Sequence, residues 1–292
     1  MKIRSFIESI RLFQWSKNLL IFLPTILAHE FKIIILVIPF LFFNLSTSVV
    51  YLINDYRDRK YDKLHYRKKN RPVAKGEISL NFIIIYSIII IFLIISYSIL
   101  FNLIDMMYLL FLYFILTSFY TLYLKHLKYI DVVFLSLLFN YRIIYGGIIG
   151  NTYLSTYLLA FAFFFFLSLA FSKRLNEIGI FNDDKIIKEI GRPYTLKNKR
   201  NIFLICLFAS IISMIIFVFY IISNRFSVLY NSPQLLFFSV FLLFAWVIRI
   251  NVLSYRSKLH DDPIVFALKD LFSYFIGILI IVTFYLSKIF NA

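Results

Sequence analysis

Long apolar runs are the feature that most constrains this 292-residue chain. Ile and Phe fill these runs without helical periodicity, so the helices that they form are apolar on every side, as lipid-facing segments are. Hydrophobic residues make up 61% of the sequence. A soluble domain of this size cannot hide that much apolar surface, because its exterior must be mostly polar. The sequence therefore predicts an all-α, polytopic membrane protein.

The apolar runs predict nine membrane spans. Their approximate bounds are 18–31, 33–54, 80–103, 106–124, 130–149, 153–172, 201–222, 235–250 and 264–287. The first of them is expected to be short or partly interfacial. The N-terminal residues 1–17 are predicted to form an interfacial helix. The whole chain, residues 1–292, is predicted to be a single transmembrane domain.

Basic residues predict the orientation of these spans. With nine spans and a cytoplasmic N-terminus, the long loops 55–79 and 173–200 lie in the cytoplasm, and the cytoplasmic segments with their flanks hold 26 of the 31 Lys and Arg residues. Such an asymmetry supports both the span count and the orientation. The net charge of +16 is therefore interpreted first as topology and attraction to anionic membrane lipids, not as nucleic-acid binding. The sharper alternative is that some of these cations hold phosphates.

A cluster of acidic residues follows the second apolar run, in the stretch NDYRDRKYD. Asn54, Asp58 and Asp62 are spaced four residues apart and so lie on one face of a helix, with Asp55 beside them. Carboxylates crowded on one face stay ionised at little cost only with a cation among them, and hard oxygen ligands suit Mg²⁺. Because ionisable residues at a membrane span are functional candidates by default, the sequence predicts a metal site here.

A solvated helix end is the competing interpretation, in which Arg57, Arg59 and Lys60 pair with the aspartates. The block RKKNRPVAKGEIS follows the cluster. Its cations suit a diphosphate whose oxygens Mg²⁺ bridges, because Lys and Arg then neutralise the remaining charge. Arg71, held by the proline after it, is the strongest basic candidate.

The stretches NDYRDRKYD and RPVAKGEIS together resemble the first signature of the UbiA superfamily of intramembrane prenyltransferases. The resemblance implies a nine-helix bundle whose aspartate-rich loops bind Mg²⁺-diphosphate at the cytoplasmic mouth of a central cavity. It implies Asn54, Asp58 and Asp62 as the principal catalytic and metal-site residues. The superfamily's second aspartate motif has no counterpart here, because Lys173 and Arg174 stand in its place. This departure indicates one Mg²⁺ site and more reliance on basic residues.

Four further motifs resemble the decaprenyl-phosphate phosphoribosyltransferase branch of that superfamily. They are RLFQWSKNLLIFLP, LKHLKYIDVV, SKRLNE and DDPIVFALKD, in that order. The resemblance implies phosphoribosyl pyrophosphate as donor, a polyprenyl phosphate as acceptor and pyrophosphate as leaving group, in the synthesis of an envelope glycan precursor. The expected location is the bacterial cytoplasmic membrane, and the distribution of basic residues predicts a site that faces the cytoplasm. The Ile, Phe, Lys and Asn bias of the chain is typical of an AT-rich bacterial genome, and the downstream glycan stays open.

The candidate phosphate ligands are basic residues at or inside span ends. They are Lys17, Arg71, Lys125, Arg142, Lys173 and Arg174. Tyr120, near Lys125, and Asp131, about three turns before Arg142 at the cytoplasmic end of the same helix, are the candidate supporting residues. Arg142 is expected to pair with another acidic group or with substrate. Other interpretations stay open: snorkelling to headgroups for the two lysines Lys17 and Lys125, a buried ion pair for Arg142, and a topology signal for Lys173 and Arg174.

The last span raises two structural questions. The first concerns Lys269 and Asp270, which either pair with each other or leave Asp270 facing another helix. The second concerns Asp261 and Asp262, which are expected to cap the helix that begins at Pro263.

Two other functions compete with phosphoribosyl transfer. A conventional prenyltransferase would move a prenyl group onto an aromatic acceptor for quinone synthesis, and Lys173-Arg174 disfavours it. A transporter would place polar groups near the bilayer midplane, whereas here they crowd one side. The metal-site hypothesis requires aspartates that face inward and are not neutralised by neighbouring arginines. The sequence leaves the acceptor chain length and homo-oligomer formation open.

Overall fold

We analysed a computed structural model, which describes residues 3–29, 33–64, 68–181, 183–184, 193–223, 229–259 and 262–290. The described residues form helices joined by turns and loops, and no strand occurs among them. Eight helices in this part of the chain are long and apolar enough to cross a membrane. The chain is therefore an all-helical, multi-pass membrane protein, as the sequence predicts.

The chain divides into two compact units, and helix α8, Ile130–Ile149, contributes its beginning to one and its end to the other. Unit 1 covers Met1–Leu127 and Tyr141–Thr152. Its further helices are α1 Ile3–Ile10, the 3₁₀ segment Leu12–Phe22, α2 Leu23–Leu27, α3 Ile33–Arg57, α4 Arg59–Leu64, α5 Pro72–Lys75, α6 Leu80–Leu100 and α7 Ile104–Leu122.

Unit 2 covers Lys128–Asn140, Tyr153–Lys188 and Arg192–Ala292. Its further helices are α9 Thr156–Phe181, α10 Lys199–Ile222, α11 Leu236–Tyr255, α12 Pro263–Ala267 and α13 Leu271–Ile289. Buried polar side chains join three of them: Ser168 donates to the Cys206 carbonyl (3.0 Å), and Asn251 donates to Ser210 (2.9 Å). Such bonds help to hold helices together in a membrane, because apolar side chains gain little when they exchange contacts with lipid for contacts with another helix.

The first predicted span, 18–31, which is expected to be short or partly interfacial, contains no continuous membrane-length helix in the described residues. The 3₁₀ segment covers its beginning, and α2 adds only five residues after it. Pro24 lacks the N–H that would continue the helical ladder and stands in the first turn of α2. Eight of the nine predicted spans thus have a membrane-length helix, while the nine-helix count and the N-terminal orientation stay predictions.

The last predicted span is interrupted. Asp262 caps α12 by accepting from the Ile264 amide, and Asp270 caps α13 by accepting from the Ser273 amide. Asp270 also accepts two bonds from the Arg249 guanidinium of α11, at 2.7 and 2.9 Å, so the interpretation that it faces another helix is confirmed. Asp261 lies outside the described residues.

Close packing against α8 fixes the 3₁₀ segment within unit 1. A Cβ added to Gly146 would lie 1.8 Å from the Ile21 carbonyl oxygen, a distance at which the backbone must move. Tyr145 donates to the carbonyl of Pro39 inside α3 (3.1 Å). The first contact attaches the N-terminal segment to α8, and the second attaches α8 to α3, whose end carries the first residues of the acidic cluster.

Candidate active site

The acidic cluster lies where α3 passes into α4. The amide of Asp58 donates to the Asn54 carbonyl (2.8 Å), and the amide of Asp62 donates to the Asp58 carbonyl (2.9 Å). These i to i−4 bonds carry the helical phase through the junction, so Asn54, Asp58 and Asp62 keep the spacing of one helix face.

Asp55 is buried between two arginines. Both of its carboxylate oxygens accept from Nη2 of Arg11, and Oδ1 also accepts from Nη1 of Arg71 (2.9 Å). The Asp55 residue is 5% exposed. Charge-assisted bonds of this kind are stronger than those between neutral groups, so Asp55 is held firmly in this position.

Arg71 bridges two aspartates. Its Nη1 donates to Oδ2 of buried Asp62 (2.8 Å) as well as to Asp55. The backbone explains this placement, because Arg71 is the extended residue before α5, and Pro72 begins that helix. The structure thus brings together the residue predicted to be the strongest basic candidate and two of the predicted metal ligands.

Lys125 pairs with Asp58. It lies in the turn after α7 and donates Nζ to Oδ2 of the carboxylate. Tyr120, one turn earlier, is half-buried, and its supporting role stays a prediction. Unit 1 therefore matches the three carboxylates with Arg11, Arg71 and Lys125.

The metal-site hypothesis requires aspartates without arginine partners, whereas the structure pairs two of these aspartates with arginines. Asp55 and Asp62 face inward as expected, but their partners are the arginines Arg11 and Arg71 rather than the helix-end cations of the competing interpretation. In the part of the chain that the structure describes, no three acidic, His or Cys side chains are grouped to hold a metal. The donor chemistry of Asn54, Asp58 and Asp62 still suits Mg²⁺. The ion could enter only if the cations moved away from the carboxylates, for example towards the phosphates of a bound substrate.

Arg142 is buried in unit 1, where it contacts an asparagine and a tyrosine. Its Nε donates to Oδ1 of Asn18 (2.7 Å) and its Nη2 donates to the Tyr113 hydroxyl (3.1 Å). Asn18 in turn donates to Asn44 of α3 (2.7 Å). Lys17, directly before Asn18, is also buried. Binding of phosphate by Arg142 and Lys17 stays a prediction, and these contacts give Arg142 a role in holding α3, α7 and α8 to the 3₁₀ segment.

Arg174 lies in a buried ion-pair network of unit 2. It donates to Asp131 (2.9 Å) and to Glu177 (2.8 Å), with Arg174 and Asp131 side chains 2% and 0% exposed. Tyr194 donates its hydroxyl to the other Asp131 oxygen. Burial and the neighbouring Asp131 carboxylate raise the pKa of Tyr194. Asp131 therefore pairs with Arg174, a partner that the sequence analysis does not name.

Lys173 donates to Asp262 (2.9 Å) in unit 2. The structure thus gives carboxylate partners to both cations that replace the second aspartate motif. Their binding of phosphate stays a prediction. Arg11, by contrast, is a site residue that the sequence analysis missed, because nothing in the spacing of RLFQWSKN indicates that its first residue reaches an aspartate 44 positions later.

Comparison with known proteins places the chain in context. The sequence pattern of the UbiA prenyltransferase family matches residues 20–285. The chain is 34% identical to the uncharacterized protein y4nM of Sinorhizobium fredii, over 98% of this chain and 56% of that protein. It is 26% identical to the nodulation protein NoeC of Azorhizobium caulinodans, over 91% of this chain and 87% of that one.

A named enzyme is also similar over part of the chain. The decaprenyl-phosphate phosphoribosyltransferase of Corynebacterium glutamicum is 30% identical over 59% of this chain and 54% of its own length. The chain thus spans about half the length of two of these relatives. Among solved structures, a UbiA homolog from Archaeoglobus fulgidus bound to DMAPP and Mg²⁺ matches with a TM-score of 0.68 at 16% identity, over 98% of this chain and 100% of that one. At this identity the likeness concerns the fold.

Proposed function

The chain belongs to the UbiA prenyltransferase family and is a transferase, and we propose that it moves a 5-phosphoribosyl group from phosphoribosyl pyrophosphate to a polyprenyl phosphate. The carbon–oxygen bond between C1 of the ribose and pyrophosphate breaks. A new bond forms between C1 and an oxygen of the acceptor phosphate. Pyrophosphate leaves, and the product is a lipid-linked phosphoribose.

The observation that carries this proposal is the set of three cations on the carboxylate cluster of unit 1, Arg11, Arg71 and Lys125. A prenyl donor with an aromatic acceptor presents one polyanionic head. A phosphoribosyl donor with a phosphorylated acceptor presents a pyrophosphate, a 5-phosphate and the lipid phosphate. Because each desolvated phosphate without a partner is costly, the second pair of substrates requires more cations. The similarity to the Corynebacterium enzyme supports the same choice.

The proposed roles of these basic and acidic residues follow from the ion pairs that they form without substrate. Arg71 and Lys125 bind phosphate oxygens when the donor is present, and they release Asp62 and Asp58. Those carboxylates and Asn54 would then hold Mg²⁺, which supplies neutralisation of the charge that develops on the departing pyrophosphate. Lys17 and Arg142 are proposed as further phosphate ligands.

The acceptor needs little activation. A polyprenyl phosphate is already an anionic nucleophile, so a strong general base is not required for attack on C1. The reacting carbon acquires positive charge as pyrophosphate leaves, and nearby carboxylates stabilise such charge. We propose that the site faces the cytoplasm at a bacterial inner membrane, where a lipid acceptor and a soluble donor can meet.

A paired substrate assay tests the proposal. Purified protein should release pyrophosphate from phosphoribosyl pyrophosphate only with polyprenyl phosphate and Mg²⁺ present. Asp58→Asn should abolish this release, whereas Asp105→Asn, an exposed carboxylate at the start of α7, should not. Full activity of Asp58→Asn would remove the assignment of the site.

Prenyl transfer to an aromatic acceptor is the second candidate function. The observation that favours it is the likeness to a structure bound to DMAPP and Mg²⁺. The same assay decides between the two functions, because product from prenyl diphosphate and 4-hydroxybenzoate, without product from phosphoribosyl pyrophosphate, would refute phosphoribosyl transfer.

A further inference from the structure

Asp55 differs from Asp58 in its burial and in the number of its charged partners. We propose that Asp55 is a positioning residue, which fixes Arg11 and Arg71 and thereby ties the N-terminal helix α1 to the acidic cluster, and that it is not a metal ligand. Its effect on catalysis rests on the proposed function, whereas its hold on Arg11 does not.

The first reason is that both carboxylate oxygens of Asp55 already accept charged bonds. Arg11 contacts both oxygens and Arg71 contacts one. Asp58, in comparison, contacts Lys125 through a single oxygen, and its side chain is 27% exposed. A helix turns by about 100° per residue, so Asp55 is rotated by about 100° from Asn54 and by about 60° from Asp58, to the edge of the face that those two share. A metal ion would have to displace two partly buried guanidinium groups to reach Asp55.

The second reason is the backbone of Arg11. Its φ of 54° and ψ of 56° place it in the left-handed region, between α1 and the 3₁₀ segment. A residue with a side chain persists in that region only where its surroundings hold it there. The Arg11 guanidinium contacts Asp55 and lies over the Tyr51 ring at 4.8 Å from its centroid. These contacts with α3 are the observed restraints on the turn.

The third reason is that α1 is attached around this ion pair. Ser5 donates to the Glu77 carboxylate (2.6 Å), and Ser48 of α3 donates to the Ile10 carbonyl (3.0 Å). Phe6 packs edge-on against Phe82 of α6, with ring centroids 5.7 Å apart. Helix α1, the end of α3 and the segment that begins at Arg71 are therefore one connected block, and loss of Asp55 would loosen both arginines in it.

Limited trypsin digestion of the purified full-length protein tests this hold directly. Trypsin cleaves after Arg11 only when that turn opens, and cleavage after Arg256, an exposed residue directly after α11 in unit 2, serves as an internal reference. Asp55→Asn should accelerate cleavage after Arg11 by about tenfold relative to Arg256, the factor that one charge-assisted hydrogen bond contributes to a local opening equilibrium. Arg11→Lys keeps the charge and the cleavage site but loses the planar guanidinium, which lies over the Tyr51 ring while its Nη2 contacts both Asp55 oxygens, so the same acceleration is expected even if Asp55→Asn does not accumulate.

A metal titration separates a positioning residue from a metal ligand. Mn²⁺ is titrated into the protein with inorganic pyrophosphate, and bound ion is followed by its electron paramagnetic resonance signal. Asp55→Asn should leave the Mn²⁺ affinity within about threefold of the wild type, whereas loss of a ligand in Asp58→Asn should weaken it by tenfold or more. Equal loss in both variants, or unchanged cleavage after Arg11 in Asp55→Asn and Arg11→Lys, would overturn the proposal.

The two proposals fail in different ways. If the wild type converts only prenyl diphosphate, phosphoribosyl transfer is refuted and the digestion result for Asp55 still holds. If the wild type transfers phosphoribose but Asp55→Asn binds Mn²⁺ as weakly as Asp58→Asn, only the positioning role is refuted.

Discussion

Removal of the Asp131 charge should destabilise unit 2 strongly. Asp131→Asn keeps the shape of the side chain but leaves the Arg174 guanidinium, whose side chain is 2% exposed, without its fully buried counter-ion. Breaking a buried pair from one side costs about 3–5 kcal/mol. Glu177 still contacts Arg174, so we expect the lower end of that range, about 3 kcal/mol. The apparent Tm in detergent should fall by on the order of 10 °C.

A matched control lies one residue earlier in the chain. Lys173 pairs with Asp262 through a side chain that is 35% exposed, and partly exposed pairs contribute about 0–1 kcal/mol. Lys173→Gln should therefore shift the apparent Tm by no more than a few degrees. The double variant Asp131→Asn/Arg174→Gln should recover part of the loss, because it leaves no buried guanidinium without a counter-ion.

The thermal measurement can refute the structural role of Arg174. If Asp131→Asn lowers the apparent Tm no more than Lys173→Gln does, the buried network is not what holds Arg174. If Arg174→Gln retains the stability of the wild type but raises KM for the donor, Arg174 binds phosphate, as the sequence analysis predicts.

Three further predictions follow from the contacts described above. Asp58→Asn should express and fold like the wild type while its turnover is lost, which size-exclusion profiles and product analysis check together. Gly146→Ala forces a Cβ against the Ile21 carbonyl and should cost about 1–3 kcal/mol, measured as a lowered apparent Tm, whereas Gly277→Ala meets no atom within 4 Å and should not lower it. The Arg249 guanidinium lowers the pKa of Asp270 to about 2. A carboxyl group with a lowered pKa stabilises the folded state at pH values above its ordinary pKa of 3.8, and this stabilisation is lost as the pH falls through about 2. The ionised Asp270 should therefore contribute about 1–2 kcal/mol to the free energy of unfolding at neutral pH. Asp270→Asn should make the stability depend less on pH in the acid range.

Most of the fold could be predicted from the sequence because lipid-facing helices carry their signal locally. A run such as Leu80–Leu100 is apolar on every side, and no other element of that length satisfies its backbone in a membrane. The stretch 18–31 differs from the other predicted spans for a physical reason. Its composition is that of a span, but Pro24 interrupts the hydrogen-bond ladder, and Asn18 turns its amide towards buried polar groups of α3.

The site could be predicted only as far as one helix defines it. The spacing of Asn54, Asp58 and Asp62 is a property of the helix and needs no tertiary information. Arg11, one of the two arginines on Asp55, lies 44 residues from it, and Arg174 lies 43 residues from Asp131. Such pairings depend on tertiary structure, so these two arginines could not be identified as partners from charge patterning.

Exposure separates the predicted phosphate ligands into two kinds. The side chains of Arg71 and Lys125 are 30% and 19% exposed, and Lys125 contacts a carboxylate that is itself 27% exposed. When such a pair opens, water can solvate the separated charges, so the free-energy cost of opening it is modest. A polyanion can therefore compete with the carboxylates for these cations. Arg174 would have to leave a fully buried carboxylate, which costs several kcal/mol. A surface contact with a phosphate does not compensate for that cost. Exchange of carboxylate for phosphate is therefore expected at Arg71 and Lys125. Titration of the wild-type protein with inorganic pyrophosphate should change the reactivity of Lys125 towards an amine reagent. Pyrophosphate should not change the loss of Tm that Asp131→Asn causes.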